Sequence, residues 1–308
     1  MATEQGLQAP SFEKAAKAYT RSVGRKMSKD SVRRITEGFG QRVGEWRQEK
    51  VEEVYDPLEG DEDAVEQVDP IQEQGNISTD GTLILFRGEG WKEVKLTVIS
   101  AVELEKSDTE RGVTLSRHSC QMGLWDADTM ARYQYLEGLR RGLWDCEKLS
   151  SVNDAAPWIL RITQDNFPHA VLTIDWPHAQ EHVWKAAQDL YGEGTESAQQ
   201  WAEAHTDLLW QGHGAQIIAD LEPFTDNEGA RRAHDYFANH LQYMDYARYR
   251  REGYPIGSGT VESGGKNYVK HRLKRSGRGW NRDTGQAMLS ALSEVHSDRF
   301  ELAWDQCA

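Results

Sequence analysis

The chain has 308 residues, of which 36 are Lys or Arg and 50 are Asp or Glu, so its formal net charge is −14. This acidic balance argues against a uniformly basic nucleic-acid coat protein. No apolar run approaches the roughly 20 residues that a membrane-spanning helix needs, and the first residues lack the apolar centre of a signal peptide. Three separated cysteines, Cys120, Cys146 and Cys307, form no CxxC pair, which argues against a disulfide framework and a cysteine zinc site. We expect a reduced, cytoplasmic protein without a membrane partner.

Charge is unevenly distributed along the chain. Residues 11–50 hold eleven basic against five acidic residues, and residues 51–75 hold ten acidic residues and no basic one. Residues 262–282 hold seven basic residues against Glu262 alone. Two basic islands in an acidic chain are typical of local contacts with a polyanion, although two solvated helix faces give the same pattern.

The first fifty residues predict two helices joined by a polar turn. Apolar residues recur every three or four positions over 11–27, and a second stripe consists of Val32, Ile35, Phe39, Val43 and Trp46. Residues 1–50 therefore resemble a helix-turn-helix, in which Arg33 and Arg34 would contact DNA, but a plain helical hairpin fits equally well. The acidic side chains of residues 51–75 repel one another, and this segment contains two prolines. Both features predict an acidic linker.

After residue 75 the apolar pattern changes to alternation. It predicts a first strand ending at Asp80, a second over 82–86 and a third over 94–99, followed by a polar stretch. Helix and strand then alternate, over residues 128–144, 148–152, 155–167, 169–175 and 178–192. Three consecutive strands followed by this alternation predict an α/β fold of the ribonuclease H type, with a mixed sheet between helices, over residues 76–191.

Two aspartates and one glutamate are candidate metal ligands. Asp80 is predicted to end the first strand and Asp154 to follow the fourth, so both would enter one crevice if these strands are neighbours. Two-metal phosphodiester cleavage needs hard oxygen ligands, and a third carboxylate is expected beyond these two. Glu262 fits this role because it follows a Gly-Ser-Gly break, in the first turn of a predicted helix. The alternative is a glutamate that only stabilises the helix start.

A row of lysines follows Glu262 at steps of four residues, namely Lys266, Lys270 and Lys274. Such a row predicts phosphate contacts along one helix face, although solvated lysines are the alternative. We add Arg278 and Trp280 as candidate DNA contacts, because an indole beside arginines can bind nucleic acid.

Three segments carry a resemblance to a known family: DGTLILFRGEGWKEVKLTVISAV, VNDAAPWILRITQDNFPHAVLTIDWPHAQEHVWKAA and YPIGSGTVESGGKNYVKHRLKRSGRGW. They resemble bacterial insertion-sequence DDE transposases of the IS-Kra type, which are relatives of the Mutator-like group. The resemblance covers about residues 76–285, and GWKEVK and GSGTVES are its most specific parts.

The resemblance implies a catalytic and metal-binding triad of Asp80, Asp154 and Glu262. The second aspartate is open, because the family commonly has Asp-Gly-Ala where this chain has Asp154-Ala155-Ala156. Asp175 is therefore kept as the alternative.

An aspartate-aromatic-x-His motif of the family maps onto Asp175, Trp176 and His178, with His182 one turn later. Histidines four residues apart on a helix can bind a metal, but we expect these two to be structural or to face DNA. Residues 192–251 resemble the helical insertion of related transposases. Residues 252–308 are expected to hold the helix that carries Glu262 and the C-terminal helices.

The activity implied by the resemblance is DNA cleavage and strand transfer at the ends of an insertion sequence. It implies a two-ion Mg²⁺ site, in which Mn²⁺ can substitute, and double-stranded DNA as partner, both element ends and target. It also implies at least a dimer on DNA. Two alternatives stay open: a catalytically silent DNA-binding protein of transposase origin, and a ribonuclease H-like nuclease without strand transfer.

Overall fold

A computed structural model describes most of the chain, namely residues 1–55, 60–62, 65–104, 112–274 and 279–308. The candidate DNA contact Arg278 lies outside the described residues, so its role stays a prediction.

Five strands form one mixed sheet in the order β3-β2-β1-β4-β5. Their bounds are Gln74–Phe86 (β1), Gly90–Leu104 (β2), Val113–Gly123 (β3), Lys148–Asn153 (β4) and Val171–Ile174 (β5). The pairs β1–β2 and β2–β3 are antiparallel, whereas β1–β4 and β4–β5 are parallel. Helices flank the sheet, so the predicted α/β class with a mixed sheet between helices is confirmed.

The helices of the described residues are named in chain order. They are α1 (Ala2–Gln8), α2 (Phe12–Val23), α3 (Lys29–Tyr55), α4 (Ala127–Arg140), α5 (Pro157–Asn166), α6 (Trp176–Tyr191), α7 (Glu196–Trp210), α8 (Gly214–Leu221), α9 (Glu228–His240), α10 (Tyr246–Glu252), α11 (Gly259–Gly264), α12 (His271–Leu273), α13 (Arg282–Val295) and α14 (Phe300–Cys307). A π-helical turn, Gly265–Lys270, joins α11 to α12.

Strand β1 corrects the predicted strand limits. It has 13 residues and runs through both of the first two predicted strands, so Asp80 lies near its middle and the predicted strand end there is wrong. Gly81 does not interrupt the strand, because it pairs with Lys95 in the ladder. A Cβ at Gly81 would meet the flexible side chain of Glu93, which would have to move aside.

The third strand of the sheet was also placed wrongly. The predicted strand over 94–99 is the middle of β2, and β3 lies in the stretch that was expected to be polar. The first half of β3 is partly exposed and contains Ser116, Arg117 and His118. Apolar and polar residues alternate at both ends of β3, but the polar run 116–119 interrupts the alternation on which strand prediction depends.

The N-terminal helices share a hydrophobic core with the sheet. Leu7 of α1 and Phe39 and Val43 of α3 belong to the same buried cluster as Phe86 of β1 and Met288 of α13. Helix α3 has 27 residues and continues past residue 50, where the sequence analysis places the start of the acidic linker.

A second core lies under the helices that follow β5. It joins Ile174 of β5 and Val183 of α6 to Leu209 of α7, Phe237 of α9 and Tyr246 of α10. Residues 192–251, which were expected to form a helical insertion, contain helices α7 to α10. Across the described ranges, no helix combines the length and apolarity that crossing a membrane requires.

Candidate active site

Asp80 and Asp154 lie on neighbouring parallel strands. The ladder between β1 and β4 pairs Ile77 with Ser151. Continuing this register by three residues places Asp80 level with Asp154, which directly follows the last residue of β4. By this extrapolation the two residues lie at the same level across the sheet, although the ladder itself ends at Ile77–Ser151 and only Asp154 lies beside a strand end.

Asp175 continues this row onto the third strand. The ladder between β4 and β5 ends with the pair Asn153–Ile174, and the next residues on each strand are Asp154 and Asp175. The Asp175 N–H donates to the Asn153 carbonyl at 2.8 Å, and this hydrogen bond holds the ends of strands β4 and β5 together. In the extrapolated register the three aspartates follow one another from β1 to the ends of β4 and β5.

The helical segment that carries Glu262 lies close to the sheet at two glycines. A Cβ at Gly264 would lie 3.1 Å from Leu96 Cδ2, and a Cβ at Gly265 would lie 3.9 Å from Asp80 Oδ2. Leu96 is the ladder partner of Asp80, so both side chains face this helical segment. The GSGTVESGG sequence therefore brings the chain close to Asp80 as well as supplying Glu262.

The Asp80 carboxyl experiences the charges of the other candidate ligands. Burial raises its pKa above the usual value, and a hydrogen bond from the Gly81 N–H at 2.6 Å opposes this shift. The negative charges of Asp154 and Glu262 raise the pKa further, whereas the positive charge of Lys270 lowers it. The triad expected from the sequence is thus drawn together within electrostatic range.

Asp154 and Asp175 differ in how their oxygens are used. Asp154 is half-buried, and its Oδ1 accepts a hydrogen bond from the Ala156 N–H at 3.1 Å. No hydrogen bond to its Oδ2 is found among the described residues. Asp175 is 3% exposed, and each of its oxygens accepts a backbone N–H, from Ser258 at 2.5 Å and from His178 at 3.3 Å. Asp154 is therefore the more accessible of the two and keeps an oxygen without a hydrogen bond, whereas both oxygens of the buried Asp175 accept backbone N–H groups.

Asp175 links the end of β5 to the segment that precedes Glu262. It caps the N-terminus of α6 and holds the Ser258 N–H, while the Trp176 N–H donates to the Ile256 carbonyl at 2.8 Å. Burial raises the pKa of Asp175, and the hydrogen bonds from Ser258 and His178 oppose that rise. Ser258 Oγ in turn lies 3.5 Å from Glu262 Oε1, at the limit of a hydrogen bond.

The three carboxylates Asp80, Asp154 and Glu262 fit a divalent cation in their chemistry. Mg²⁺ prefers carboxylate oxygens, and like charges held near one another are stabilised by a cation. Within the described residues, however, no group of three or more His, Cys, Asp or Glu side chains is close enough to hold an ion. Binding an ion would therefore require these carboxylates to converge from their present positions.

The predicted DNA contacts occupy two separate regions. Lys266, Lys270 and Lys274 are exposed along the π-helical turn and α12, beyond Glu262. Arg33 and Arg34 are exposed in the first two turns of α3, where Arg33 lies 3.7 Å from Asp30. Both regions keep their basic groups at the surface, and DNA binding there stays a prediction.

Trp280 is engaged inside the protein. Its Nε1 donates to the Leu273 carbonyl at 3.0 Å, and its ring packs edge-on against Phe12 at 6.3 Å. Its backbone forms a parallel bridge with Phe86 at the end of β1. This packing gives Trp280 a structural role, and its predicted contact with DNA stays a prediction.

His178 and His182 lie in a cluster of aromatic rings whose further member, Tyr236, the sequence analysis did not predict. Their rings are 5.1 Å apart, and Tyr236 of α9 stacks on His182 with a centroid distance of 3.5 Å and an interplanar angle of 8°. Burial lowers the pKa of His182 to about 4, so the ring is neutral at neutral pH. Tyr236 was missed because no local pattern connects a tyrosine of α9 with α6; only packing brings them together.

Comparisons of the chain with models of protein families and with curated proteins found no match in either set.

Proposed function

We propose that the chain is a DDE transposase with a ribonuclease H-like core, which cleaves DNA at the ends of an insertion sequence and joins the freed strand to target DNA. The observation that carries this proposal is that Asp80 lies within electrostatic range of both Asp154 and Glu262. These residues come from three distant segments, and the charges of Asp154 and Glu262 act on the Asp80 carboxyl.

The sheet supports the proposed core. In the ribonuclease H fold, the strand that carries the first aspartate neighbours the strand that precedes the second, and here β1 pairs in parallel with β4. The elements from β1 to α6 are three strands followed by alternating helices and strands, the order typical of that fold, although the sequence analysis placed the first three strands wrongly.

In the proposed reaction, Asp80, Asp154 and Glu262 hold Mg²⁺, or Mn²⁺ in its place. Such ions, when bound, supply an activated attacking oxygen and stabilise the leaving oxygen. Burial raises the pKa of Asp80, and the Gly81 N–H and the positive charge of Lys270 oppose that rise. The π-helical turn lies beside this carboxylate at Gly265.

The lysines beyond Glu262 would bind the DNA backbone. Lys266, Lys270 and Lys274 are exposed on consecutive turns, so they can neutralise successive phosphates without reading sequence. We include at least a dimer in the proposal, because the two ends of an element must be held together during joining.

The two aspartates that the sequence left open receive different roles. Asp154 is proposed as the second ligand because its Oδ2 is available, whereas both oxygens of Asp175 already accept backbone hydrogen bonds. Asp175 would act as a positioning residue that fixes Ser258, four residues before Glu262.

A plasmid assay tests the proposal. Plasmids that carry candidate terminal repeats are incubated with the full chain and Mg²⁺ or Mn²⁺, and nicked and joined products are separated. We expect the wild type to give both products, and Asp80→Asn and Glu262→Gln to give neither while they retain DNA. Asp165→Asn is the matched control, since this exposed carboxylate lies 3.7 Å from Arg161 on the surface of α5.

The outcomes separate the proposed activity from its alternatives. Nicked product without joined product would favour a nuclease and contradict strand transfer. DNA retention without nicking, in the presence of either ion, would identify a silent DNA-binding protein. Cleavage by Asp80→Asn or Glu262→Gln at the wild-type rate would contradict the assignment of the triad.

A further inference from the structure

The first turn of strand β2 exposes a tryptophan at the surface. Trp91 is 54% exposed, which makes it the most exposed of the eleven tryptophans of the chain. Among the described residues, no other aromatic ring packs against its indole. The internal packing of the protein therefore leaves much of this ring open to a partner.

The rest of the GWKEVK segment has contacts inside the protein. Val94 is buried in the core between the sheet and α13. Lys95 is buried, pairs with Glu93, and places its ammonium 4.2 Å from the centre of the Trp158 ring. These contacts explain the second half of the segment, whereas Trp91 stays without an internal role.

The turn that precedes Trp91 is held in place by the segment that leads into α13. The Arg87 N–H donates to the Trp280 carbonyl at 2.8 Å, and the Arg282 guanidinium donates to the Glu89 carboxylate at 2.6 Å. The indole therefore projects from a fixed backbone, and a side chain that is fixed in advance loses little freedom when it binds.

A lysine without a carboxylate partner lies beside the indole. Lys274 Nζ is 5.2 Å from the centre of the Trp91 ring, and this lysine is exposed and forms no ion pair within the described ranges. The two glutamates that flank Trp91 on the hairpin, Glu89 and Glu93, are each already paired with a cation. The charge that remains beside the indole is therefore positive, which suits a phosphate.

We propose that Trp91 stacks on a base of an unpaired DNA strand, while Lys274 contacts the phosphate backbone of that strand. This inference rests on the proposed function for DNA as the partner. Every base has a π-face that can stack on an aromatic side chain, and a basic group beside it binds the backbone without reading sequence. An unpaired strand fits better than a duplex, in which neighbouring base pairs cover these faces.

Lys274 also connects Trp91 to the candidate site. It is the last lysine of the row that follows Glu262, so the phosphate contacts proposed along that row lead to the indole. The sequence analysis expected an indole at this end of the row and chose Trp280, which is packed inside the protein. The structure assigns the stacking role to Trp91 instead.

Two substitutions at position 91 separate stacking from other contacts. Trp91→Val keeps an apolar residue that favours strands and removes the aromatic face, whereas Trp91→Phe keeps an aromatic ring. Fluorescence anisotropy of the full chain with a labelled oligothymidylate, and with its duplex, measures both affinities. We expect Trp91→Val to weaken single-strand binding at least about fivefold, the lower end for the loss of one base–aromatic stack. Trp91→Phe should keep most of the affinity, and duplex binding should stay at the wild-type value.

Trp184→Leu is the matched control, since Trp184 is a tryptophan of α6 that is 36% exposed. It should change neither affinity. Thermal unfolding of Trp91→Val should give a melting temperature close to that of the wild type, because the substitution changes an exposed side chain.

The dependence of binding on salt separates the ring from the cation. Trp91→Val should leave the salt slope unchanged, because the indole carries no charge. Lys274→Gln should reduce the slope for the single strand by about 0.7, the value for one phosphate contact. A changed slope in Trp91→Val, or an unchanged slope in Lys274→Gln, would overturn the roles given to the two side chains.

The affinities decide the rest. Equal single-strand affinity of Trp91→Val and the wild type overturns the inference, and so does an equal loss for single strand and duplex, or a loss in Trp91→Phe as large as that in Trp91→Val. A wild-type dimer that Trp91→Val dissociates, with unchanged DNA affinity, would identify a contact between copies of the chain and overturn it as well.

The same variants separate this inference from the proposed function. A wild type whose single-strand binding depends on Trp91 but which never nicks a plasmid would contradict the proposed function alone. A wild type that nicks and joins DNA, while Trp91→Val binds the single strand as tightly, would contradict the inference alone. A wild type that binds no single strand overturns the inference, whatever its activity on plasmids.

Discussion

At the scale of single residues, Asp175 explains how a carboxylate can lie in a buried position beside two others. Its charge is compensated by two backbone N–H groups, which stabilise the ionised form despite burial. Asp154 has only one such contact and keeps an oxygen available. The sequence offered both residues at a strand end and gave no means to separate their roles, because hydrogen bonds to Ser258 depend on the tertiary fold.

The substitutions Asp175→Asn and Asp154→Asn should therefore have different effects. An amide at position 175 has one acceptor oxygen, so it cannot accept both N–H groups, and its NH₂ group would face a second donor. We expect a lower melting temperature and cleavage reduced about tenfold, in line with a lost supporting hydrogen bond. Asp154→Asn should abolish cleavage and leave the melting temperature unchanged or higher. Plasmid nicking measures cleavage, and thermal unfolding measures the melting temperature. If Asp175→Asn abolished cleavage and Asp154→Asn lowered the melting temperature, Asp175 would be the ligand and Asp154 the positioning residue.

At the scale of elements, the packing of α3 against α13 depends on one glycine. A Cβ at Gly40 would meet the backbone carbonyl of Ala287, which belongs to α13 and cannot turn away. At Gly38 of the same helix, the nearest atom to a Cβ is the flexible end of Arg42, at 3.8 Å. The two positions share a helix and differ only in what they face.

Gly40→Ala should accordingly destabilise the protein by about 1–3 kcal/mol, as overpacking does. Gly38→Ala should stabilise it by about 0.5–1 kcal/mol, because alanine is the better helix former. Denaturant unfolding measures both free energies. A neutral Gly40→Ala would mean that α3 does not rest on α13 in solution.

The lysines beyond Glu262 form the second element-scale prediction. Replacing Lys266 and Lys270 by Gln should weaken DNA binding equally for all sequences and reduce the salt slope by about 2, one for each phosphate contact. Lys17→Gln is the control, since this exposed lysine pairs with Glu13 on α2 at 2.8 Å. Filter binding over a range of salt gives the slope, and an unchanged slope would contradict the proposed phosphate contacts.

At the scale of the whole molecule, a buried ion cluster joins α3, α4 and α13. Arg299 donates to Glu137 at 2.7 Å and to Glu294 at 3.0 Å, and Glu294 also lies 3.6 Å from Arg47 of α3. Burial raises the pKa of Glu137, but the charge and hydrogen bonds of Arg299, together with the charge of Arg140 and the side chain of Ser119, outweigh burial and bring the pKa to about 2. This contribution to stability is present above the unfolded pKa, about 4.3, and is lost as the pH falls toward 2.

Arg299→Met should therefore destabilise the whole fold by about 3–5 kcal/mol, because it leaves buried Glu137 without its partner. The loss should shrink toward low pH, where Glu137 becomes protonated. Arg161→Met is the matched control, since the Arg161–Asp128 pair is exposed and should contribute at most about 1 kcal/mol. Equal effects of the two substitutions would show that the cluster does not join the elements.

Sequence and structure agree where local patterns decide. The α/β class and the helices α2 and α3 followed from apolar periodicity, but the strands did not: the first two predicted strands both lie in β1, the third is the middle of β2, and β3 was not predicted. The pattern failed where packing decides: β1 continues through Asp80 and Gly81 because a neighbouring strand pairs with them, and the polar run 116–119 interrupts the alternation of β3. Tyr236 and the hydrogen bonds of Asp175 had no sequence signal, since they depend on contacts between distant segments.

The central claim is that Asp80, Asp154 and Glu262 converge as ligands of one metal centre. Crystals of the full chain grown with MnCl₂ and DNA, measured at a wavelength where manganese scatters anomalously, test it most directly. We predict anomalous peaks within about 2.0–2.4 Å of oxygens of all three carboxylates. The account would be contradicted by manganese peaks at other residues, with Glu262 far from both aspartates, in a protein that still cleaves DNA.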